Sequence, residues 1–259
     1  WLPLFHDMGL IGFLLTPTVT GGEVTLLPTE EFILRPSSWL KALTERKATI
    51  TGGPPSAYAL CAKRIKESEV GQYDLSAVRV ALVGAETVTR ESLSAFAEKF
   101  RPAGFRSTSL MPTYGLAESA LAVTMPLLDS EPEFDTVDFS GLAAGQAVGQ
   151  AFQPAVTDGL ESPPLQSPLL ESPPLQSPLL QSPSLQTRVF ASVGAPLPGV
   201  ELAIVNESGG RLPERHTGEI ILRSPSMMSG YLRDEEATRS ALRDGWLYTG
   251  DLGYLANGQ

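Results

Sequence analysis

The sequence predicts an α/β fold, a mainly parallel sheet with flanking helices, followed by a smaller antiparallel β-rich subdomain. Three observations carry that expectation. Strand-like and helix-like runs alternate through residues 1–125, the order that builds a parallel sheet covered by helices. Beyond residue 187 short apolar runs follow one another with little but glycine turns between them, which favours antiparallel pairing. Between the two textures lies a proline-rich repeat whose period suits neither a helix nor a strand.

In chain order, residues 1–12, WLPLFHDMGLIG, place His6 and Asp7 at the start of an apolar helix, with Gly9 and Gly12 allowing close backbone approach. Residues 23–27, EVTLL, read as a short buried strand closed by Pro28. Pro36 suits the first turn of a helix that gathers Trp39, Leu40 and Leu43 on one face. Residues 48–51 are a strand, and Gly52-Gly53-Pro54-Pro55 a turn into a helix from Ser56 to about Lys66. A second cycle follows: a buried strand at 78–83, a turn at Gly84-Ala85, and Thr89 capping a helix that carries Leu93, Phe96, Ala97 and Phe100. Residues 108–111 are again strand-like. In the later half, strands at 200–205 and 218–222 flank the Gly209-Gly210 turn. Asp234, Glu235 and Glu236 then open a short helix at the positive end of its dipole, and residues 246–249 make a further strand.

This reading divides the chain into an α/β part at 1–125, an insertion at 126–187 and a β-rich part at 188–259. Within the insertion, residues 162–186 repeat a Ser-Pro-x-Leu-Gln/Glu pentapeptide five times. Each proline removes a backbone donor and biases its predecessor away from the α region. A disordered, partly polyproline II insertion on the surface is therefore expected, in preference to a ligand for a proline-binding partner.

A formal charge of -10 argues against binding a phosphate backbone or an anionic lipid surface. With Cys61 as the only cysteine, an internal disulfide framework is impossible. Its place on the apolar face of a helix predicts an inert core thiol. The longest apolar stretch, residues 8–15, falls well short of the ~20 residues of a membrane span, and a cytoplasmic location is expected.

Several blocks depart from what a generic α/β domain needs. A histidine at a helix N-terminus, as His6 is, can meet an anionic substrate group. Gly52-Gly53 and Gly84-Ala85-Glu86 follow strand ends, where open α/β sheets bind ligands. Tyr114-Gly115-Leu116-Ala117-Glu118 sets a stacking ring, a glycine and a carboxylate able to hold Mg²⁺ within five residues. In Tyr248-Thr249-Gly250-Asp251 the acid just past a strand end suits the hydroxyls of a ribose. Each has an ordinary structural reading as well, as a turn, a cap or a solvated acid.

Taken together, WLPLFHDMGLIG, TGGPPSAYALCAKRI, VRVALVGAE, PTYGLAES, GEIILRSPSMMSGYL and GWLYTGDLGYL stand in the order that resembles the adenylate-forming superfamily of acyl and aryl ligases, luciferases and peptide synthetase adenylation domains. HDMGLIG, GGPPSAYALCAKRI and the GAE block with FAEKF and GFR are most similar to fatty acyl-AMP ligases. That resemblance implies activation of a fatty acid with ATP and Mg²⁺ to an acyl-adenylate. The acyl group would pass to an acyl carrier protein, often in a polyketide or peptide synthase. It implies that Gly84, Ala85 and Glu86 border the adenine, that Tyr114, followed by Gly115, stacks on it, and that Asp251 binds the ribose. Glu118 would be the metal ligand, and His6 would sit near the reacting carboxylate. Gly52, Gly53 and the helix from Ser56 would wall an acyl tunnel. The sequence starts at Trp1 and stops in mid-pattern, without the family's phosphate loop, ribose-binding arginine or C-terminal catalytic lysine. An internal piece, inactive by itself, is therefore expected. The alternatives are an acyl-CoA ligase of the same superfamily, a peptide synthetase adenylation domain, or a non-catalytic remnant.

Overall fold

The computed structural model describes residues 1–138 and 187–258, so the pentapeptide repeat at 162–186 lies outside the described residues. The predicted apolar helix at the start is a π-helix, Met8–Leu15. Its wider turn is set at the end, where the Thr16 N–H and, at 2.6 Å, the Thr16 hydroxyl both reach the Ile11 carbonyl five residues back. The helix can sit tightly because Gly9 has no side chain: a Cβ there would lie 2.2 Å from the Pro3 carbonyl.

Helix α1 (Thr16–Thr20) stops at Gly21 in the left-handed conformation. The strand predicted at 23–27 is absent. Those residues are irregular, with Val24 37% and Leu26 51% exposed, because the described sheets offer them no neighbouring strand whose backbone could complete a ladder. Pro28 instead precedes helix α2 (Thr29–Leu34).

Helix α3 (Ser37–Arg46) buries Trp39, Leu40 and Leu43, the face its spacing predicts. Strand β1 (Ile50–Gly53) begins two residues later than predicted and takes in Gly52 and Gly53, so these glycines end the strand instead of turning it. After Pro54, helix α4 (Pro55–Arg64) starts with proline at its first position, where no N–H is missed, and ends two residues short of Lys66. The short helix α5 (Glu67–Val70) leads to strand β2 (Val80–Val83). Thr89 caps helix α6 (Arg90–Phe100) as expected, its hydroxyl accepting the Ser92 N–H at 3.2 Å. Strand β3 (Leu110–Pro112) completes a parallel sheet in the order β1-β2-β3, with Ile50 opposite Val80 and Ala81 opposite Leu110. One apolar core joins this sheet to α3, α4 and α6. Through it runs a series of edge-on rings, Trp39 to Tyr58 (5.2 Å), Tyr58 to Phe96 (5.0 Å) and Phe96 to Phe105 (5.0 Å). Cys61 is fully buried there, and burial pushes its thiol up to about 12, which leaves it protonated and inert.

The rest of the described chain is antiparallel. Strands β4 (Tyr114–Gly115) and β5 (Ala122–Met125) pair with each other. Strand β6 (Phe134–Asp138) pairs with β7 (Thr187–Ala191), bringing Asp138 opposite Thr187 across the undescribed residues. Strand β8 (Ala195–Pro196) closes onto β5. Strands β9 (Glu201–Val205) and β10 (Gly218–Arg223) pair as the sequence predicts. Helix α7 (Glu235–Ala241) is capped by Asp234, whose carboxylate accepts the Ala237 N–H at 2.9 Å. Strands β11 (Leu242–Arg243) and β12 (Trp246–Gly253) finish a sheet ordered β11-β12-β10-β9. Among the described residues no helix is long and apolar enough to cross a membrane.

Candidate active site

The carboxyl ends of β1, β2 and β3 lie side by side, and most of the predicted site residues follow directly from them. Gly52 and Gly53 end β1, and space above them is already filled: a Cβ on Gly52 would meet the Phe13 ring at 2.7 Å, and one on Gly53 the Trp1 ring at 2.7 Å. Gly84 follows β2, wedged between the Thr113 carbonyl and the end of Met8, which a Cβ would approach to 3.1 and 3.4 Å. The head of the π-helix therefore rests on these strand ends. His6 stands there half exposed, its Nδ1 2.6 Å from Asp7 Oδ1, while the Met8 N–H donates to Asp7 at 2.7 Å.

Ala85 adopts φ 67, a left-handed conformation unusual for a residue with a Cβ. It swings Glu86 back over α4, where Glu86 Oε1 accepts the Ser56 hydroxyl at 2.9 Å and Oε2 the Ser56 N–H at 3.2 Å. A carboxylate at the first turn of a helix is stabilised by the unpaired N–H groups and the dipole. The predicted acyl-side residue Ser56 and the predicted nucleotide-side residue Glu86 are thus direct partners.

Beyond β3, Tyr114 meets Asp251 across 137 residues of sequence: its hydroxyl donates to Asp251 Oδ2 at 2.6 Å. Burial, followed by the Asp251 charge and that hydrogen bond, holds the Tyr114 phenol far above its ordinary range, so it stays protonated and can donate to Asp251. The sequence places Asp251 just past a strand, whereas β12 continues through it to Gly253. What the local pattern hides is a bulge. Ile221 pairs with Tyr248 and Glu219 with Leu252, so Thr249, Gly250 and Asp251 together face Ile220. Gly250 takes φ 75 to allow it. Three contacts pin the bulge: Thr249 hydroxyl to Ile220 carbonyl (2.7 Å), Asp251 N–H to Thr249 Oγ1 (3.1 Å) and Gly250 N–H to Glu219 Oε1 (3.1 Å).

Gly115 is required because a Cβ would collide with the Leu121 carbonyl at 1.8 Å. This close approach folds the chain into a single 3-10 turn, Ala117–Ser119, which carries Glu118. Glu118 Oε1 accepts the Tyr231 hydroxyl at 2.8 Å, and its backbone carbonyl accepts the Met228 N–H at 2.7 Å. Glu118 stands four residues after Tyr114, on the turn between β4 and β5. Sequence reasoning assigned nothing to Tyr231, Ser224 or Ser226. The only signal was their place in the SPSMMSGYL block.

A parallel sheet covered by helices, with glycines and acids just past its strand ends, is the α/β layout in which ligands are generally bound at the carboxyl edge. The model of the AMP-binding enzyme family matches residues 1–152 and 177–232. This chain belongs to that family. A putative acyl-CoA synthetase of Caulobacter vibrioides is 36% identical over 100% of this chain and 40% of its own length. A medium-chain-fatty-acid–[acyl-carrier-protein] ligase of Moorena producens is 30% identical, again over 100% of this chain and 40% of its own. Among solved structures, one from a study of fatty acyl-adenylate ligases of E. coli and L. pneumophila superposes with a TM-score of 0.80 at 38% identity, covering 100% of this chain and 42% of that one. The chain spans about two fifths of the length of the relatives it matches.

Proposed function

We propose that these residues form the nucleotide- and acyl-binding part of a fatty acyl-AMP ligase, which activates a fatty acid with ATP and hands it to an acyl carrier protein. The observation that carries this reading is the hydrogen bond between Tyr114, just past the carboxyl end of β3, and Asp251, with Glu118 on the turn that follows Tyr114. Tyr114 would stack on the adenine, its ring held by the bond to Asp251 before the nucleotide arrives. Asp251 commits Oδ2 to Tyr114 and keeps Oδ1 for the ribose hydroxyls. Gly84, Ala85 and Glu86 would border the base, with Gly115 closing the turn beneath it. Gly52, Gly53 and Ser56 would help wall the acyl chain, the two glycines through the Phe13 and Trp1 rings that lie on them. His6, at the head of the π-helix, would attend the carboxylate where it meets the α-phosphate. The adenylation subdomains are assigned to 1–125 and 188–259, either side of the insertion at 126–187, in a cytoplasmic protein.

In the reaction a carboxylate oxygen of the fatty acid attacks the α-phosphorus. The bond from that phosphorus to the oxygen bridging to the β-phosphate breaks, and pyrophosphate leaves with the electron pair. Both reactants are anions, so the residues work chiefly by positioning them. Among the described residues no three His, Cys, Asp or Glu side chains cluster as a metal cage. A lone carboxylate suits Mg²⁺ that arrives with nucleotide phosphates and its own water, so Glu118 fits that ion. Bound there, Mg²⁺ would neutralise charge on the phosphates.

The test is ATP–pyrophosphate exchange by the protein expressed from the complete reading frame, with fatty acids of graded length. Fatty-acid-dependent exchange is expected, followed by acyl transfer to a carrier protein. Absence of exchange with every fatty acid would sink the proposal. The name of the Caulobacter relative favours a second reading, an acyl-CoA ligase; a thioester formed with coenzyme A and none with a carrier protein would select it.

A further inference from the structure

Glu118 is gripped by one stretch of chain more than a hundred residues away. Residues 224–231 supply Ser224, Ser226, Met228 and Tyr231, all directed at the turn Ala117–Ser119. Tyr231 donates to Glu118 Oε1 at 2.8 Å and the Met228 N–H to the Glu118 carbonyl at 2.7 Å. Next to them the hydroxyl of Ser119, a fully buried residue, lies 3.0 Å from that of Ser224 and 3.2 Å from that of Ser226, which are themselves 2.9 Å apart. Three hydroxyls in a triangle can each donate once and accept once, so the ring closes without an orphaned proton. The turn then ends at Ala120 with φ 61 and ψ -53, outside both helical regions, a conformation that persists only where surrounding contacts over-determine it.

We infer that residues 224–231 are a positioning cradle for Glu118: Tyr231 occupies Oε1 so that Oε2 is kept for a metal, and the serine triangle fixes the depth of the turn. The inference rests on the reading of Glu118 as the Mg²⁺ ligand and extends it to residues that touch neither metal nor substrate. A free glutamate samples many rotamers, and each ligand that must be ordered on binding weakens the ion's hold. Partners that orient a metal ligand are generally worth about 10–100-fold in metal affinity. Tyr231 is 40% exposed, and removing only its hydroxyl leaves the ring in place, so Tyr231→Phe should fold.

The experiment uses the protein from the complete reading frame, Mn²⁺ as a paramagnetic substitute for Mg²⁺, and the α,β-methylene analogue of ATP. Free Mn²⁺ is counted by electron paramagnetic resonance. Tyr231→Phe is expected to weaken Mn²⁺ in the ternary complex roughly 10-fold, while affinity for the analogue without metal and the melting temperature stay near wild type. Ser226→Ala, which opens the triangle, should give a smaller loss of the same kind and supplies the comparison from the serine side. Glu118→Gln separates the two levels. If it weakens Mn²⁺ while Tyr231→Phe and Ser226→Ala bind as wild type, the cradle is overturned and the metal role stands. Wild-type Mn²⁺ affinity in Glu118→Gln would overturn the metal role and the cradle together.

Discussion

Around the parallel sheet 20 buried residues form one apolar cluster, whereas the antiparallel half divides its described interior between a cluster of four and a cluster of three. Where apolar burial is thin, hydroxyls and carboxylates take over: the serine triangle, the Tyr231–Glu118 bond, the pinned bulge before Asp251 and the Tyr114–Asp251 bond all draw on residues after 200. Hydrogen bonds fix direction and distance more sharply than apolar contact does, though each contributes only about 1 kcal/mol net. The first half therefore sets stability, and the second aims the side chains that meet a ligand.

Substitutions should divide along that line. Phe96→Ala, in the middle of the ring series of the first half, is expected to cost about 3–5 kcal/mol of unfolding free energy, read by denaturant titration. A cost below ~1 kcal/mol would mean that the two halves are not so different. Glu118→Gln should leave the denaturation midpoint nearly unchanged while lowering the rate of pyrophosphate exchange by about 10²–10³-fold. If its main effect were unfolding, the polar half would have to be called structural. Asp251→Asn replaces one acceptor oxygen with a donor facing Tyr114, and KM for ATP should rise by the equivalent of about 1.5–3 kcal/mol. An unaltered KM would take the ribose away from this bulge. Smallest is Thr89→Ala, which removes the cap of α6 and should cost about 1 kcal/mol of stability with no change in KM.

The β/α units were legible because their signals are local. A proline at a first turn, a threonine three residues before an N–H it can accept, and apolar residues spaced for one helix face all act within a few residues. Residues 23–27 have strand-like side chains too, but a ladder needs a second strand, which composition cannot supply. Gly52 and Gly53 read as a turn because glycine permits one; their actual reason is the rings of Phe13 and Trp1 lying against the strand. At the site, Tyr114, Glu118 and Asp251 stood out as types. The bulge that aims Asp251 depends on register with β10, and Tyr231 reaches Glu118 over 113 residues, so neither leaves a trace in nearby sequence.

The pairing of β6 with β7 holds Asp138 and Thr187 opposite each other, although 48 residues of sequence lie between them. Closing a flexible loop on ends held side by side costs only about 0.6 kcal/mol more in entropy for each doubling of its length. Were copies of the pentapeptide at 162–186 gained or lost, the length of sequence between those two paired ends would change without requiring a change in their pairing.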